Sequence, residues 1–62
     1  MLNGEKIKDL ARERGKTVAV LADEIGVSTA MMSFIMNNKR DTTVSVALRI
    51  ARALGVSLEE IC

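Results

Sequence analysis

The sequence predicts an all-α fold. Three observations support this: the composition, the glycines that separate the apolar segments, and the spacing of the apolar residues. The chain has 62 residues, no proline, four glycines and a single aromatic residue, Phe34. Hydrophobic residues make up 48% of it, and between the glycines they recur three and four positions apart. A chain of this length has enough apolar residues to form only one hydrophobic core. We therefore expect residues 1 to 62 to form a single compact domain of five helices.

The first helix is predicted to begin after Asn3, whose side chain is suited to an N-cap, and to end at Gly15. Its apolar stripe consists of Ile7, Leu10 and Ala11.

The second and third helices are predicted to form a helix-turn-helix. Thr17 is the expected N-cap of the second helix, and Gly26 is its expected stop. Ser28 then caps the third helix, so only Gly26 and Val27 separate the two. The apolar face of the second helix is Leu21, Ala22 and Ile25. Such a short connection is the one that a helix-turn-helix requires.

The third helix has two different faces at about 100° per residue. The inward face is predicted to contain Met32, Ile35 and Met36. The opposite face is predicted to contain Ala30, Ser33, Phe34 and Asn37, with Met31 on the flank. Buried methionines fill space between helices, but Phe34 is not explained in this way.

A fourth helix is predicted to follow Thr43 and to stop at Gly55, and Ser57 and Glu60 have the spacing of a capping box that starts the fifth. The inward face of the fourth helix is predicted to be Val44, Ala47, Leu48, Ala51 and Leu54. The residues that we expect to be buried in the core include Leu21, Met32, Ile35, Leu48 and Leu54.

Charge and reactive residues narrow the function classes. Nine Lys and Arg against eight Asp and Glu give a net charge of +1, so attraction to nucleic acid must come from local placement of charge. The chain has no histidine and one cysteine, Cys62, and lacks any metal-ligand spacing or nucleophile motif. We expect neither an enzyme, nor a metal, a cofactor or a small-molecule substrate. The absence of a long apolar run or a signal-peptide pattern leads us to expect a cytoplasmic protein with no membrane partner.

Three segments together resemble the lambda-repressor-like, XRE/Cro-type helix-turn-helix family. They are "LADEIGVS" at residues 21 to 28, "MSFIMNNK" at residues 32 to 39 and "ALRIARALGVSLEEI" at residues 47 to 61. The resemblance implies a transcriptional regulator, typically a repressor, that binds a pseudo-palindromic operator in double-stranded DNA as a homodimer. It implies base-reading roles for Thr29, Ala30, Ser33 and Phe34. It implies phosphate contacts by Ser28, Asn37, Asn38, Lys39 and Arg40.

The chain departs from the family pattern at several positions. Val18 replaces a phosphate-binding glutamine, and Asn38 stands where glycine is usual. Ala11 and Met36 occupy the positions of an inner arginine–glutamate pair. Because both partners are apolar together, no unpaired charge is buried.

The apolar reading face leaves two functions open. Phe34 could contact thymine methyl groups in the major groove. Alternatively, Phe34, Met31 and Val20 could form an exposed patch that makes the fold a protein–protein interaction module.

Overall fold

The protein is built from short helices whose ends are fixed by local capping. A computed structural model describes residues 2–39 and 42–62. Its elements in chain order are α1 (Gly4–Glu13), α2 (Val18–Ile25), α3 (Thr29–Met36), α4 (Val44–Leu54) and a 3-10 helix (Leu58–Ile61). The described residues contain no strand, so the all-α prediction is confirmed, but the prediction of five helices is wrong because only four of them are α-helical.

Side chains cap all four α-helices at the predicted positions. In α1 the Oδ1 of Asn3 accepts hydrogen bonds from the backbone N–H groups of Glu5 and Lys6. The hydroxyl groups of Thr17, Ser28 and Thr43 each accept one from the N–H three residues later, at 3.1 to 3.2 Å. These bonds satisfy donors that the first turn of a helix leaves without an intrahelical partner.

The last element differs from its prediction in its hydrogen bonds. Ser57 makes no side-chain capping bond, so the predicted capping box with Glu60 does not form. Instead, the N–H of Glu60 donates to the carbonyl oxygen of Ser57 at 3.1 Å, which is the i to i+3 bond of a 3-10 turn. Ile61 of this turn is fully buried, so the segment closes the core as a single turn.

The core lies where the helices meet, with α3 packed against α1 and α2, and α4 packed against α2 and the 3-10 helix. Its largest fully buried side chains are Ile7, Leu21, Met32, Ile35, Ile50, Leu54 and Ile61. Ala11 and Met36 are also buried, so apolar packing fills the place of the inner ion pair that the resemblance implies. The core prediction is confirmed for Leu21, Met32, Ile35 and Leu54.

The prediction for the inward face of α4 is wrong on both flanks. Val44 is 69% exposed and Leu48 is 40% exposed, whereas Ile50 is completely buried. Ala47, Ala51 and Leu54 are buried as predicted. The buried stripe of α4 is therefore rotated about the helix axis from the predicted one, towards Ile50 and away from Val44 and Leu48.

No single helix in the described ranges, 2–39 and 42–62, is long and apolar enough to cross a membrane. Only α2 and α3 taken together reach the required length and apolarity, and they are bent by 111° at their junction.

Candidate nucleic-acid interface

The relative orientation of α2 and α3 is that of a DNA-reading motif. Three residues, 26 to 28, connect the two helices, and the chain bends by 111° between them. Gly26 adopts a left-handed conformation with a φ of 77°, and the N–H of Val27 donates to the carbonyl oxygen of Ala22. Helix pairs at about 90–120° across a three- to four-residue turn form the helix-turn-helix, whose second helix enters the major groove. The predicted motif is therefore present.

The helix α3 is held from one side and exposed on the other. Met32, Ile35 and Met36 are buried, at most 4% exposed, and fix the rotation of the helix about its axis. Among the predicted base-reading residues, Thr29, Ala30 and Phe34 are exposed and Ser33 is half-buried. The structure therefore brings all four to the outward side of one rigid helix.

Phe34 and Val20 are the two large hydrophobic residues exposed beside this motif. Phe34 is 45% exposed on α3, and Val20 is 46% exposed on α2. Met31, the third member of the predicted apolar patch, is half-buried and packs against the core. Of the three residues of the predicted apolar patch, Phe34 and Val20 are therefore exposed and Met31 is not.

The residues predicted to contact phosphate lie at both ends of α3. Ser28 is at its N-terminus, where its hydroxyl accepts from the N–H of Met31. Asn37, Asn38 and Lys39 follow its C-terminus and are exposed. Arg40 lies outside the described residues.

The turn after α3 is joined to α1 by two hydrogen bonds that the sequence did not predict. The backbone N–H of Gly4 donates to the Oδ1 of Asn38 at 2.8 Å. The Nζ of Lys8 donates to the Oδ1 of Asn37 at 2.6 Å, while the Nδ2 of Asn37 donates to the carbonyl oxygen of Ser33 at 2.8 Å. The one sequence signal for the first bond was a glycine in the first turn of a helix, which often marks a close backbone approach.

Three basic side chains bond to the C-terminal ends of helices. Arg14 donates from its Nε to the carbonyl oxygen of Leu54, and Lys16 donates to that of Ala53 at 2.7 Å. Arg49 donates to the carbonyl oxygen of Ile25 at 3.3 Å. These cations lie at the C-terminal ends of α4 and α2, where positive charge is favourable. Their contacts account for them as structural groups.

No group of three or more His, Cys, Asp or Glu side chains among the described residues could hold a metal ion. Cys62 is exposed and free.

A family model described as helix-turn-helix matches residues 7–61, which is most of the chain and includes α2, α3 and their turn. The chain belongs to this helix-turn-helix family. The resemblance noted in the sequence is therefore confirmed, and so is the assignment to DNA-binding regulators rather than enzymes. No curated protein sequence matches the chain.

Three solved structures resemble this helix-turn-helix protein closely in fold. The clp gene regulator ClgR from Corynebacterium glutamicum has a TM-score of 0.87 and 21% identity, over 92% of this chain and 61% of that one. The restriction-modification controller protein C.AhdI from Aeromonas hydrophila has a TM-score of 0.87 and 21% identity, over 92% of this chain and 86% of that one. SinR, a master regulator for biofilm formation solved in complex with DNA, has a TM-score of 0.85 and 26% identity, over 92% of this chain and 95% of that one.

Proposed function

We propose that residues 1 to 62 form a single helix-turn-helix domain that binds a specific operator in double-stranded DNA with α3 in the major groove. In this proposal it is a small prokaryotic or phage-type regulator that represses transcription in the cytoplasm. The observation that carries the proposal is the division of α3 into a fully buried face and an outward face next to a 111° turn. A helix fixed in this way presents the same side chains to every base step that it meets.

Base reading is assigned to Thr29, Ala30, Ser33 and Phe34. Hydroxyl groups can bond to base edges, but Ala30 and Phe34 carry no hydrogen-bonding side chain. Their contribution is apolar contact with the C5-methyl group of thymine, which favours A·T pairs at the matching operator positions. Polar discrimination is left to the two hydroxyl groups, so we expect modest sequence specificity.

Selection of bound sites from random duplex DNA tests base reading. We expect an enriched motif with A·T pairs opposite Phe34, and weaker binding when deoxyuridine replaces thymine there. Phe34→Ser should remove that thymine preference and leave self-association unchanged. If Phe34→Ser instead abolishes self-association and leaves operator affinity intact, Phe34 belongs to a protein-binding patch and its base-reading role is wrong.

Phosphate binding is assigned to Ser28, Asn37, Asn38, Lys39 and Arg40. Lys39 is exposed and forms no salt bridge within the described residues, so its charge is available to a phosphate. Lys39→Ala should weaken binding to all DNA sequences alike and lower the logarithmic salt slope by about 1.

The matched control for Lys39 is Lys6→Ala. Lys6 is also an exposed lysine, but it borders a groove with Asp9, Glu13 and Glu60 on α1 and the 3-10 helix. Removing it changes the net charge equally and should leave the salt slope unchanged. Equal slopes for the two variants would exclude Lys39 from the phosphate contacts.

Binding as a homodimer to a pseudo-palindrome is the last part of the proposal. With a net charge of +1 and Val18 in place of a phosphate-binding glutamine, one copy is expected to bind DNA weakly. We therefore expect tight binding only on two half-sites about 34 Å apart, one helical turn of DNA. Equal affinity for an isolated half-site and a full palindrome would contradict the homodimer.

A further inference from the structure

The first turn of α1 lies directly against the end of α3, although the two are distant in sequence. Gly4 is buried there, and a Cβ atom at its position would be 2.2 Å from the carbonyl oxygen of Met36 and 2.9 Å from that of Ile35. Only glycine permits this approach without movement of the backbone. The approach brings the N–H of Gly4 to 2.8 Å from the Oδ1 of Asn38, 34 positions away.

The bond to Asn38 completes the N-terminus of α1. The Oδ1 of Asn3 accepts hydrogen bonds from the N–H groups of Glu5 and Lys6, at 3.1 and 3.3 Å. The N–H of Gly4 donates instead to the Oδ1 of Asn38. Since the first N–H groups of a helix have no intrahelical partner, a donor at this point seeks an acceptor from elsewhere in the fold. Asn38 supplies that acceptor.

The same bond determines which way the Asn38 amide is oriented. A backbone N–H can only donate, so the amide must present its oxygen to Gly4 and keep its two N–H groups for other partners. Phosphate oxygens only accept hydrogen bonds, so an N–H group is the useful half of an amide for DNA. Asn38 itself is in the left-handed region, with a φ of 58°, where glycine would be unstrained but would carry no amide.

We propose that the backbone N–H of Gly4 is a positioning group for DNA binding, because it orients the Asn38 amide with its N–H groups towards the phosphate backbone. This inference rests on the proposed DNA-binding function. The N-terminus of α1 lies outside the helix-turn-helix, yet in this inference it orients the turn after α3 towards DNA. Asn38 is the residue that contacts DNA, and Gly4 acts through it.

Two substitutions distinguish the role of the Asn38 N–H groups, which donate, from that of its oxygen, which accepts. Asn38→Asp keeps an oxygen for Gly4 and replaces the N–H groups with a negative oxygen that repels phosphate. Asn38→Gly keeps the left-handed backbone and removes both halves. We expect an operator affinity about tenfold lower or worse for Asn38→Asp and roughly two- to tenfold lower for Asn38→Gly. Amide hydrogen exchange at Gly4 should stay slow in Asn38→Asp and become faster in Asn38→Gly.

The role of Gly4 itself is tested by chemical synthesis of the 62-residue chain. Replacing the N–H of Gly4 by an ester oxygen removes the donor, and it also weakens the carbonyl oxygen of Asn3 as an acceptor for the N–H of Ile7. Operator affinity should fall by about the same factor as in Asn38→Gly, and the two changes combined should cause no further loss, because they act through one contact. An ester in place of the N–H of Glu5 is the matched control, since it removes a bond to Asn3 at the same helix end. It should lower thermal stability and leave operator affinity unchanged.

The outcomes distinguish this inference from the proposed function. If wild-type protein binds no selected duplex, the proposed function fails. If wild type binds and either Asn38→Asp or the Gly4 ester binds equally well while folded, DNA binding stands and the positioning role is overturned.

Discussion

The turns that end α2 and α3 have the same backbone conformation, but the left-handed residue of each has different contacts. At the end of α2, Gly26 has a φ of 77° and the N–H of Val27 donates to the carbonyl oxygen of Ala22 at 3.0 Å. At the end of α3, Asn38 has a φ of 58° and the N–H of Lys39 donates to the carbonyl oxygen of Phe34 at 2.8 Å. Both turns therefore close the helix with the same bond across five positions.

The two turns differ in what surrounds the left-handed residue. A Cβ atom on Gly26 would meet only the Nη1 of Arg49, at 3.9 Å. The side chain of Asn38 instead accepts a hydrogen bond from Gly4, 34 positions away. The left-handed residue of the first turn has no side chain to hold, although Arg49 of α4 donates to the carbonyl oxygen of Ile25 beside it. This turn connects the two helices of the motif. The second depends on α1, so its conformation responds to a part of the chain outside the motif.

The largest expected effect comes from Gly4→Ala, which tests the dependence of the second turn on α1. The new methyl group would lie 2.2 Å from a backbone oxygen of Met36, so α1 or the end of α3 must move. We expect the free energy of unfolding to fall by about 3 kcal/mol, the upper part of the usual range for overpacking. Urea denaturation measures this free energy of unfolding.

Gly15→Ala is the control for Gly4→Ala. Gly15 has a φ of 68° and no atom within 4 Å of an added Cβ, so only backbone strain of about 1 to 2 kcal/mol is expected. Equal losses for the two variants would show that the close approach at Gly4 contributes nothing specific.

The next effect comes from Gly26→Ala, which tests the local turn. The added Cβ meets only the Nη1 of Arg49, at an ordinary contact distance of 3.9 Å, so the cost is the strain of alanine at a positive φ, about 1 to 2 kcal/mol. Gly26→Asn should cost less, because asparagine tolerates this conformation better. A loss for Gly26→Asn that equals or exceeds that for Gly26→Ala would mean that the turn is constrained by more than its backbone.

The smallest effect on stability is expected for Asn38→Gly. Glycine relieves the strain at a φ of 58°, while the lost bond to Gly4 costs about 1 kcal/mol. The two nearly cancel, so the midpoint of urea denaturation should move little. Asn38→Ala loses the bond without relieving the strain and should be less stable by about 1 kcal/mol or more. If Asn38→Gly and Asn38→Ala were equally stable, the left-handed backbone at residue 38 would not be strained and the comparison of the two turns would be wrong.

The sequence predicted the features of the site that depend on neighbouring residues. Ser28 caps α3, Gly26 is left-handed, and the burial of Met32 and Ile35 leaves Thr29, Ala30 and Phe34 exposed. The roles of these exposed residues on DNA stay predictions. The bonds of Lys8 and Gly4 to the turn after α3 could not be predicted, because they join residues 29 and 34 positions apart.

The wrong predictions share one physical cause. Leu48 and Ile50 are equally apolar and flank the same stripe of α4, and only the position of the other helices decides that Ile50 is buried and Leu48 is 40% exposed. Likewise, Ser57 and Glu60 have capping-box spacing, but this segment is a 3-10 turn with Ile61 in the core.

By itself, the sequence determined where each α-helix starts and how α2 and α3 connect. Capping hydroxyls, the Asn3 amide and left-handed glycines act through hydrogen bonds within a few residues, so their effect is independent of the rest of the fold. The tertiary structure alone decided which flank of α4 is buried and that α1 holds the turn after α3. Those outcomes depend on the distance between backbones of separate helices, which is set when all the side chains of the core pack together.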